Sequence, residues 1–241
     1  MKIIKDSNKW SIIYEIVIAV FTLSVLIFGY IEHLITKTWM RSIDEPFSYT
    51  GFQGQYFSYF TIQSNIIVFV WFLLAAIYHF KSDKPLILRQ GGLIVISLYI
   101  SITFITYMTM MLPFATTTMT PITWFENMSQ HLIVPLLVIC YMCFHIGEKP
   151  IVIKEYLKKK LWINFLYPLF YFLYIILRLY MGVLDDKTTL LYFPYLPKLD
   201  VANWLLVVLV IIASIIILIL FVVVNIFYCY INNKIYERKE K

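Results

Sequence analysis

The sequence predicts an all-α membrane protein that folds as a bundle of six transmembrane helices. Of its 241 residues, 61% are hydrophobic and only 14% are charged, whereas soluble domains carry about 25% charged residues. The mean hydropathy is +0.79. Six segments are long and apolar enough to supply the roughly 20 residues that a helix needs to cross the hydrocarbon core. The composition therefore excludes a soluble enzyme or a soluble binding module.

The predicted spans use nearly the whole chain, so we expect residues 1–241 to form one integral membrane domain. The first span follows three lysines and can act as its own insertion signal, and no small-residue cleavage site follows it. The six spans are predicted at about residues 10–32, 56–79, 91–112, 129–147, 161–182 and 203–230.

Basic residues collect on one side of the predicted bundle. Three Lys or Arg residues precede the first span, three lie between spans two and three, five between spans four and five, and four at the C-terminus. The other three loops carry two, none and two. Cytoplasmic loops are enriched in Lys and Arg, which predicts that both termini are cytoplasmic. We read Lys158–Lys160 as contacting lipid headgroups, so the expected partners are membrane lipids and not nucleic acid.

A polar run at the start of span two, TIQSN at residues 61–65, is the first candidate site. Polar side chains inside a span are costly unless they face the protein interior or a wet cavity. The helical period places Ser58, Thr61, Ser64 and Asn65 on one face. Gln63 lies about 200° around the helix from Thr61, so it must serve a different neighbour.

The predicted topology places this face on the outer side, near a histidine of span four. His131 lies two residues into span four, and Thr61 lies about five residues into span two. At 1.5 Å rise per residue, their depths differ by roughly one helical turn or less. A threonine hydroxyl needs a neighbouring base to become a nucleophile, and neutral histidine is the usual base near pH 7. Ser64 or Asn65 could donate to the oxyanion that forms on an attacked ester.

Span five carries a second polar stripe that approaches the same side. Its four members recur at i, i+4, i+7 and i+11: Tyr167, Tyr171, Tyr174 and Arg178. Arg178 is positioned to hold an anion, either a substrate carboxylate or a structural acid such as Asp200 in the following loop. The loop that precedes span four, residues 113–128, is uncharged except for Glu126, and we expect it to pack against the outer surface.

Other functions use the same residues and stay open at this point. The polar side chains can simply bond neighbouring helices, or they can line the path of a small transporter, although the chain shows no internal repeat. His33 and His131 share a side, but carboxylate or cysteine ligands at defined spacing are missing, so we expect no metal and no cofactor.

Four motifs recur in order and carry a family resemblance. They are YFTIQSN at 59–65, HLIVP at 131–135, YPxxY at 167–171, and the loop YFPYLPKLD at 192–200. The set resembles the androgen-induced-gene-like integral membrane family, in particular its prokaryotic six-span branch. The resemblance implies a plasma-membrane hydrolase of fatty-acyl esters with Thr61 as nucleophile and His131 as base. Lipid acyl transfer stays open as an alternative, because an acyl-enzyme can be resolved by an alcohol or amine instead of water.

Overall fold

The computed structural model describes residues 6–37, 48–81, 84–112, 120–184 and 203–241. These residues form helices joined by short connections and contain no β-strand. Six helices are long and apolar enough to cross a membrane, which confirms the predicted all-α polytopic bundle.

The helices follow one another along the chain with two interruptions of π-helical geometry. The elements are α1 (Asp6–Thr36), α2 (Tyr49–Tyr56), α3 (Phe60–Tyr78), a 3₁₀ turn (Leu86–Leu88), α4 (Gln90–Thr106), the first π-turn (Tyr107–Met111), α5 (Pro121–Met128), the second π-turn (Ser129–Ile133), α6 (Val134–His145), α7 (Ile153–Lys159), α8 (Leu161–Asn164), α9 (Leu166–Leu184) and α10 (Asn203–Lys239).

Helix α4 lies at the centre of the bundle because it packs against α3, α6 and α10. Its side chains are the most buried of the six spans, and Ile94, Leu98 and Ile100 are fully enclosed. Helix α1 packs along α3 on one side. Helix α9 is peripheral and turns most of its apolar side chains outward. In a membrane protein those outward side chains contact lipid and need no protein partner.

The beginning of α1 and the last turns of α10 lie at one end of the bundle. Ser11 near the start of α1 bonds His145 at the end of α6, with 2.8 Å between Oγ and Nε2. Asn232 near the end of α10 accepts from the Gly147 amide at 2.8 Å. We call this the terminal end, and the opposite end, which holds His33 and Thr61, the site end.

At the site end, two helices begin at residues that differ from the predicted span boundaries. The second span begins at Phe60 and not at 56, because α2 is a separate short helix whose N-cap Ser48 accepts from the Gly51 amide. The fourth span begins at Pro121 and not at 129. Thr120 caps it by accepting from the Thr123 amide, and Pro121 suits the first helical turn. Much of the predicted loop 113–128 is thus helical, and residues 113–119 lie outside the described residues.

Candidate functional site

Thr61 lies in the first turn of α3, at the site end. Its residue surface is 8% exposed, so the side chain is almost enclosed but still reachable. Within the described residues, no hydrogen bond involves its hydroxyl. Its backbone carbonyl, by contrast, accepts hydrogen bonds from two side chains. This arrangement leaves the Thr61 hydroxyl available for chemistry.

Ser64 and Asn65 both turn back to the Thr61 carbonyl and also reach other helices. Ser64 Oγ lies 3.0 Å from the Thr61 carbonyl oxygen and 2.9 Å from Thr103 Oγ1 on α4. Asn65 Nδ2 donates to the Thr61 carbonyl at 2.9 Å and to the Gln130 carbonyl at 3.3 Å. Gln130 directly precedes His131. One amide group therefore joins the turn that carries Thr61 to the turn that carries His131.

His131 belongs to the second π-turn, and its ring is almost fully buried. The ring stacks on Tyr107 of the first π-turn, with 3.9 Å between ring centroids and 13° between planes. It also interacts with the Thr103 backbone. His131 Nδ1 has no hydrogen-bond partner in the described part of the chain. Single π-turns inside α-helices occur frequently at functional sites, and here two of them meet.

The contacts place four predicted site residues, Thr61, Ser64, Asn65 and His131, on adjoining turns of α3 and the second π-turn. They also engage the polar hydrogens that were predicted to serve an oxyanion. Asn65 uses both amide hydrogens on carbonyls, so in this conformation it has none left for an oxyanion. Ser64 has a single hydroxyl hydrogen, which faces either the Thr61 carbonyl or Thr103.

Sequence reasoning missed Tyr107 as a member of this site. Its hydroxyl is buried and has no hydrogen-bond partner among the residues described. A tyrosine at the end of a span is ordinarily an interfacial anchor, and no spacing rule predicts the π-turn that orients it toward His131.

Helix α9 docks its polar stripe on the connection between α2 and α3. Tyr171 donates to the Ser58 carbonyl at 2.9 Å, and the Tyr174 hydroxyl lies 3.5 Å from Ser58 Oγ. Arg178 donates to the Gly54 carbonyl near the end of α2. This confirms that the stripe shares one face. It also shows that Ser58 is wrongly grouped with Thr61, because Ser58 lies in the turn before α3 and faces α9.

Two further predictions concern neighbours of this stripe. Gln63 does serve a different neighbour, as predicted, since its Oε1 accepts from Tyr167 at 3.3 Å. Arg178 is engaged with a protein carbonyl at a helix C-terminus, an ordinary position for a cation. A Cβ at Gly54 would lie 2.7 Å from Arg178 Nη1, so a larger residue there would require the guanidinium to shift. Asp200 lies outside the described residues.

A second polar cluster lies beside the second π-turn. His33 Nε2 lies 2.7 Å from Glu126 Oε2, and His33 Nδ1 lies 3.0 Å from Glu32 Oε2. Gln130 Nε2 donates to Glu126 Oε1 at 3.1 Å. Each of Glu32, His33 and Glu126 offers a possible metal-ligand atom, and these atoms lie within 4.8 Å of one another. The sequence could not predict this cluster because its members come from different helices.

Tyr56 closes the site end near this cluster. Its hydroxyl donates to the Leu26 carbonyl at 3.1 Å. Burial, and to a smaller extent the Glu126 carboxylate, raises the pKa of Tyr56 above its ordinary value. The hydroxyl therefore stays protonated, and Tyr56 acts as a neutral donor that ties α2 to α1.

The terminal end carries its own buried acid. Glu15 is fully buried, and its carboxylate lies 2.9 Å from His79 Nε2 and accepts from the Tyr141 hydroxyl. His145 stacks on Tyr141 with 3.8 Å between centroids. This group bonds α1, α3 and α6 at the end opposite Thr61.

Comparison of the chain with protein-family models, with curated proteins and with solved structures finds no significant match.

Proposed function

We propose that this protein hydrolyses a lipid or fatty-acyl ester, with Thr61 as nucleophile and His131 as base. The observation that carries the proposal is the bond of Asn65 Nδ2 to both the Thr61 and Gln130 carbonyls, because it fixes the nucleophile's turn against the base's turn. The nearly enclosed and unbonded Thr61 hydroxyl supports the same reading.

The reaction proceeds in two steps. Thr61 Oγ1 attacks the ester carbonyl carbon while His131 takes the hydroxyl proton, and His131 returns that proton to the departing alcohol as the ester C–O bond breaks. Water then attacks the acyl-threonine, again losing its proton to His131, and the fatty acid leaves as Thr61 regains a proton. The atoms balance without a cofactor.

His131 has one ring nitrogen suited to this work. Its Nδ1 atom has no hydrogen-bond partner among the described residues. In the tautomer that carries the proton on Nε2, the lone pair is on Nδ1, and this nitrogen is the proposed base.

Tyr107 is the proposed donor to the oxyanion. Its hydroxyl is buried without a partner in the described residues, and its ring is held flat against His131. Asn65 and Ser64 are then positioning residues, since their hydrogens serve the Thr61 carbonyl, Gln130 and Thr103. Arg178 holds α2 in place and does not bind the substrate carboxylate.

The proposal places the site end at the outer leaflet of a prokaryotic plasma membrane, with both termini in the cytoplasm. The support is the excess of Lys and Arg in the terminal-end loops. A membrane-embedded site suits a substrate that partitions into lipid, which is why an acyl ester is proposed and not a water-soluble one.

The test is turnover of a fluorogenic long-chain acyl ester by the purified full-length protein in detergent micelles. We expect Thr61→Ala and His131→Ala each to lower kcat by at least about 100-fold, within the range seen for general-base catalysis. Thr61→Ser should retain part of the activity because it keeps a hydroxyl. Ester turnover at the wild-type rate in Thr61→Ala contradicts the proposal.

Thr22 provides a matched control for this test. It is another buried threonine in a span, and its hydroxyl also has no hydrogen-bond partner in the described regions. Thr22→Ala should keep the wild-type rate, which separates loss of the nucleophile from a general effect of removing a threonine. Faster product formation with added alcohol or amine acceptors would redirect the assignment to acyl transfer.

A further inference from the structure

The three side chains Glu32, His33 and Glu126 form a cluster of a kind that binds cations. Imidazole and carboxylate oxygen are both ordinary ligands of zinc-class divalent ions. His33 and Glu126 are at least 95% buried, and the Glu32 side chain is 14% exposed. The ligand atoms lie within 4.8 Å of one another, and bonds of about 2.0–2.2 Å require only modest closure by side-chain rotation.

The composition of the cluster favours a divalent cation. In the described part of the chain it consists of two carboxylates and one histidine, and His33 and Glu126 are buried. An uncompensated buried charge is strongly unfavourable. A divalent cation with neutral His33 balances both carboxylates.

The orientation of Glu126 supplies an independent indication. Its Oε2 atom lies 2.7 Å from His33 Nε2, yet it accepts no hydrogen bond of ordinary geometry within the described residues. Its other oxygen, Oε1, is held by Gln130. Gln130 thus anchors the buried carboxylate through one oxygen while the second oxygen faces His33. Carboxylates that bind metals are commonly oriented by an outer hydrogen bond of this kind.

Gly29 on α1 provides the space for this carboxylate. A Cβ at position 29 would lie 2.1 Å from Glu126 Oε1 and 2.7 Å from its Cδ. Any side chain there would displace Glu126 from His33. Because Gly29 has no side chain, the Glu126 carboxylate on α5 can lie close to α1.

We propose that Glu32, His33 and Glu126 bind one divalent cation of the zinc class at the site end. The cation fastens the end of α1 to α5 beside the second π-turn, through Glu126 and Gln130. This inference is independent of the ester-hydrolase proposal, because it concerns binding and not turnover.

The test is metal stoichiometry of the full-length, tag-free protein. Protein stripped with a chelator and dialysed against limiting Zn²⁺ should retain one Zn²⁺ per chain by plasma mass spectrometry, and its thermal unfolding temperature should rise with Zn²⁺ but not with Mg²⁺. Wild-type protein that retains no Zn²⁺ and shows no thermal shift overturns the proposal.

Single substitutions, each followed by measurement of bound Zn²⁺, test which side chains bind the ion. His33→Ala and Glu126→Gln should abolish the bound Zn²⁺. Gly29→Ala alters no ligand, yet it should weaken Zn²⁺ binding by about 10–100-fold, as loss of a supporting contact does. His145→Ala is the matched control, because it removes a histidine at the terminal end whose Nε2 lies 2.8 Å from the Ser11 hydroxyl. Zn²⁺ that stays bound in the His33 and Glu126 variants, or that is lost in His145→Ala, contradicts the assignment.

Discussion

The ring of Tyr107 lies flat against the ring of His131, at 3.9 Å between centroids, and each residue occupies a π-helical turn. A π-turn inserts one extra residue into a helix and rotates the residues after it. Two such turns meeting at one ring pair orient a phenol hydroxyl and an imidazole nitrogen that have no partner in the described residues. This pairing distinguishes the site end from an ordinary helix contact.

Replacing Tyr107 by phenylalanine tests the hydroxyl separately from the stacking. The phenylalanine ring keeps the contact with His131, so we expect the protein to fold and its unfolding temperature to stay close to that of the wild type. If the hydroxyl stabilises the oxyanion, kcat for acyl-ester hydrolysis should fall by about 100-fold or more, as for loss of other oxyanion donors. An unchanged kcat would assign Tyr107 to packing alone.

Two fully buried asparagines should respond oppositely to replacement by leucine. Asn65 bonds two carbonyls, and losing it leaves those carbonyls short of a donor, which should destabilise the protein by about 1–2 kcal/mol, in the range measured for polar contacts in membranes. Asn225 on α10 has no hydrogen-bond partner for its side chain among the described residues. Asn225→Leu should therefore be neutral or stabilising. Thermal unfolding in matched detergent measures both, and a large loss in Asn225→Leu would reveal a partner for that amide.

Removing His79 should be far more damaging than removing an exposed lysine. His79 faces the fully buried Glu15 carboxylate, and breaking a buried pair by removing one partner typically costs about 3–5 kcal/mol. The exposed pair Lys159–Glu155, at 3.4 Å, contributes little. Chemical unfolding of His79→Ala and Lys159→Ala should show this contrast. The double variant His79→Ala with Glu15→Gln should recover part of the loss, and the absence of recovery would contradict the charge argument.

Tyr171→Phe should loosen α9 without altering the active pair. It removes the hydroxyl that donates to the Ser58 carbonyl, so a loss of about 0.5–1.5 kcal/mol is expected. Hydrogen exchange should increase in α9 while acyl-ester turnover stays near that of the wild type. A drop in kcat of the size expected for Thr61→Ala would instead place this contact in the catalytic machinery.

The sequence was sufficient to predict the bundle because hydropathy and length decide whether a helix crosses a membrane. It also predicted that Gln63 points away from Thr61 and that Tyr167, Tyr171 and Arg178 share a face, since both follow from the helical period. The helical period did not predict the position of Ser58 correctly, because Ser58 lies in the turn between α2 and α3.

Contacts between residues that are far apart in the sequence could not be predicted from residue spacing. The distance between Glu126 and His33 depends on how α5 packs against α1 and on the space at Gly29. The stacking of Tyr107 on His131 depends on two π-turns, which no hydrophobic pattern specifies. The Thr120–Pro121 pair, in contrast, was a helix-start signal that would have placed the fourth span correctly.

Adduct mapping with a fluorophosphonate probe on the detergent-solubilised full-length protein tests directly whether Thr61 is a nucleophile. We expect one covalent adduct at Thr61, identified by peptide mass spectrometry, which disappears in His131→Ala and persists in Thr22→Ala. An adduct at another residue, or no adduct in a preparation that hydrolyses acyl esters, would contradict this role for Thr61.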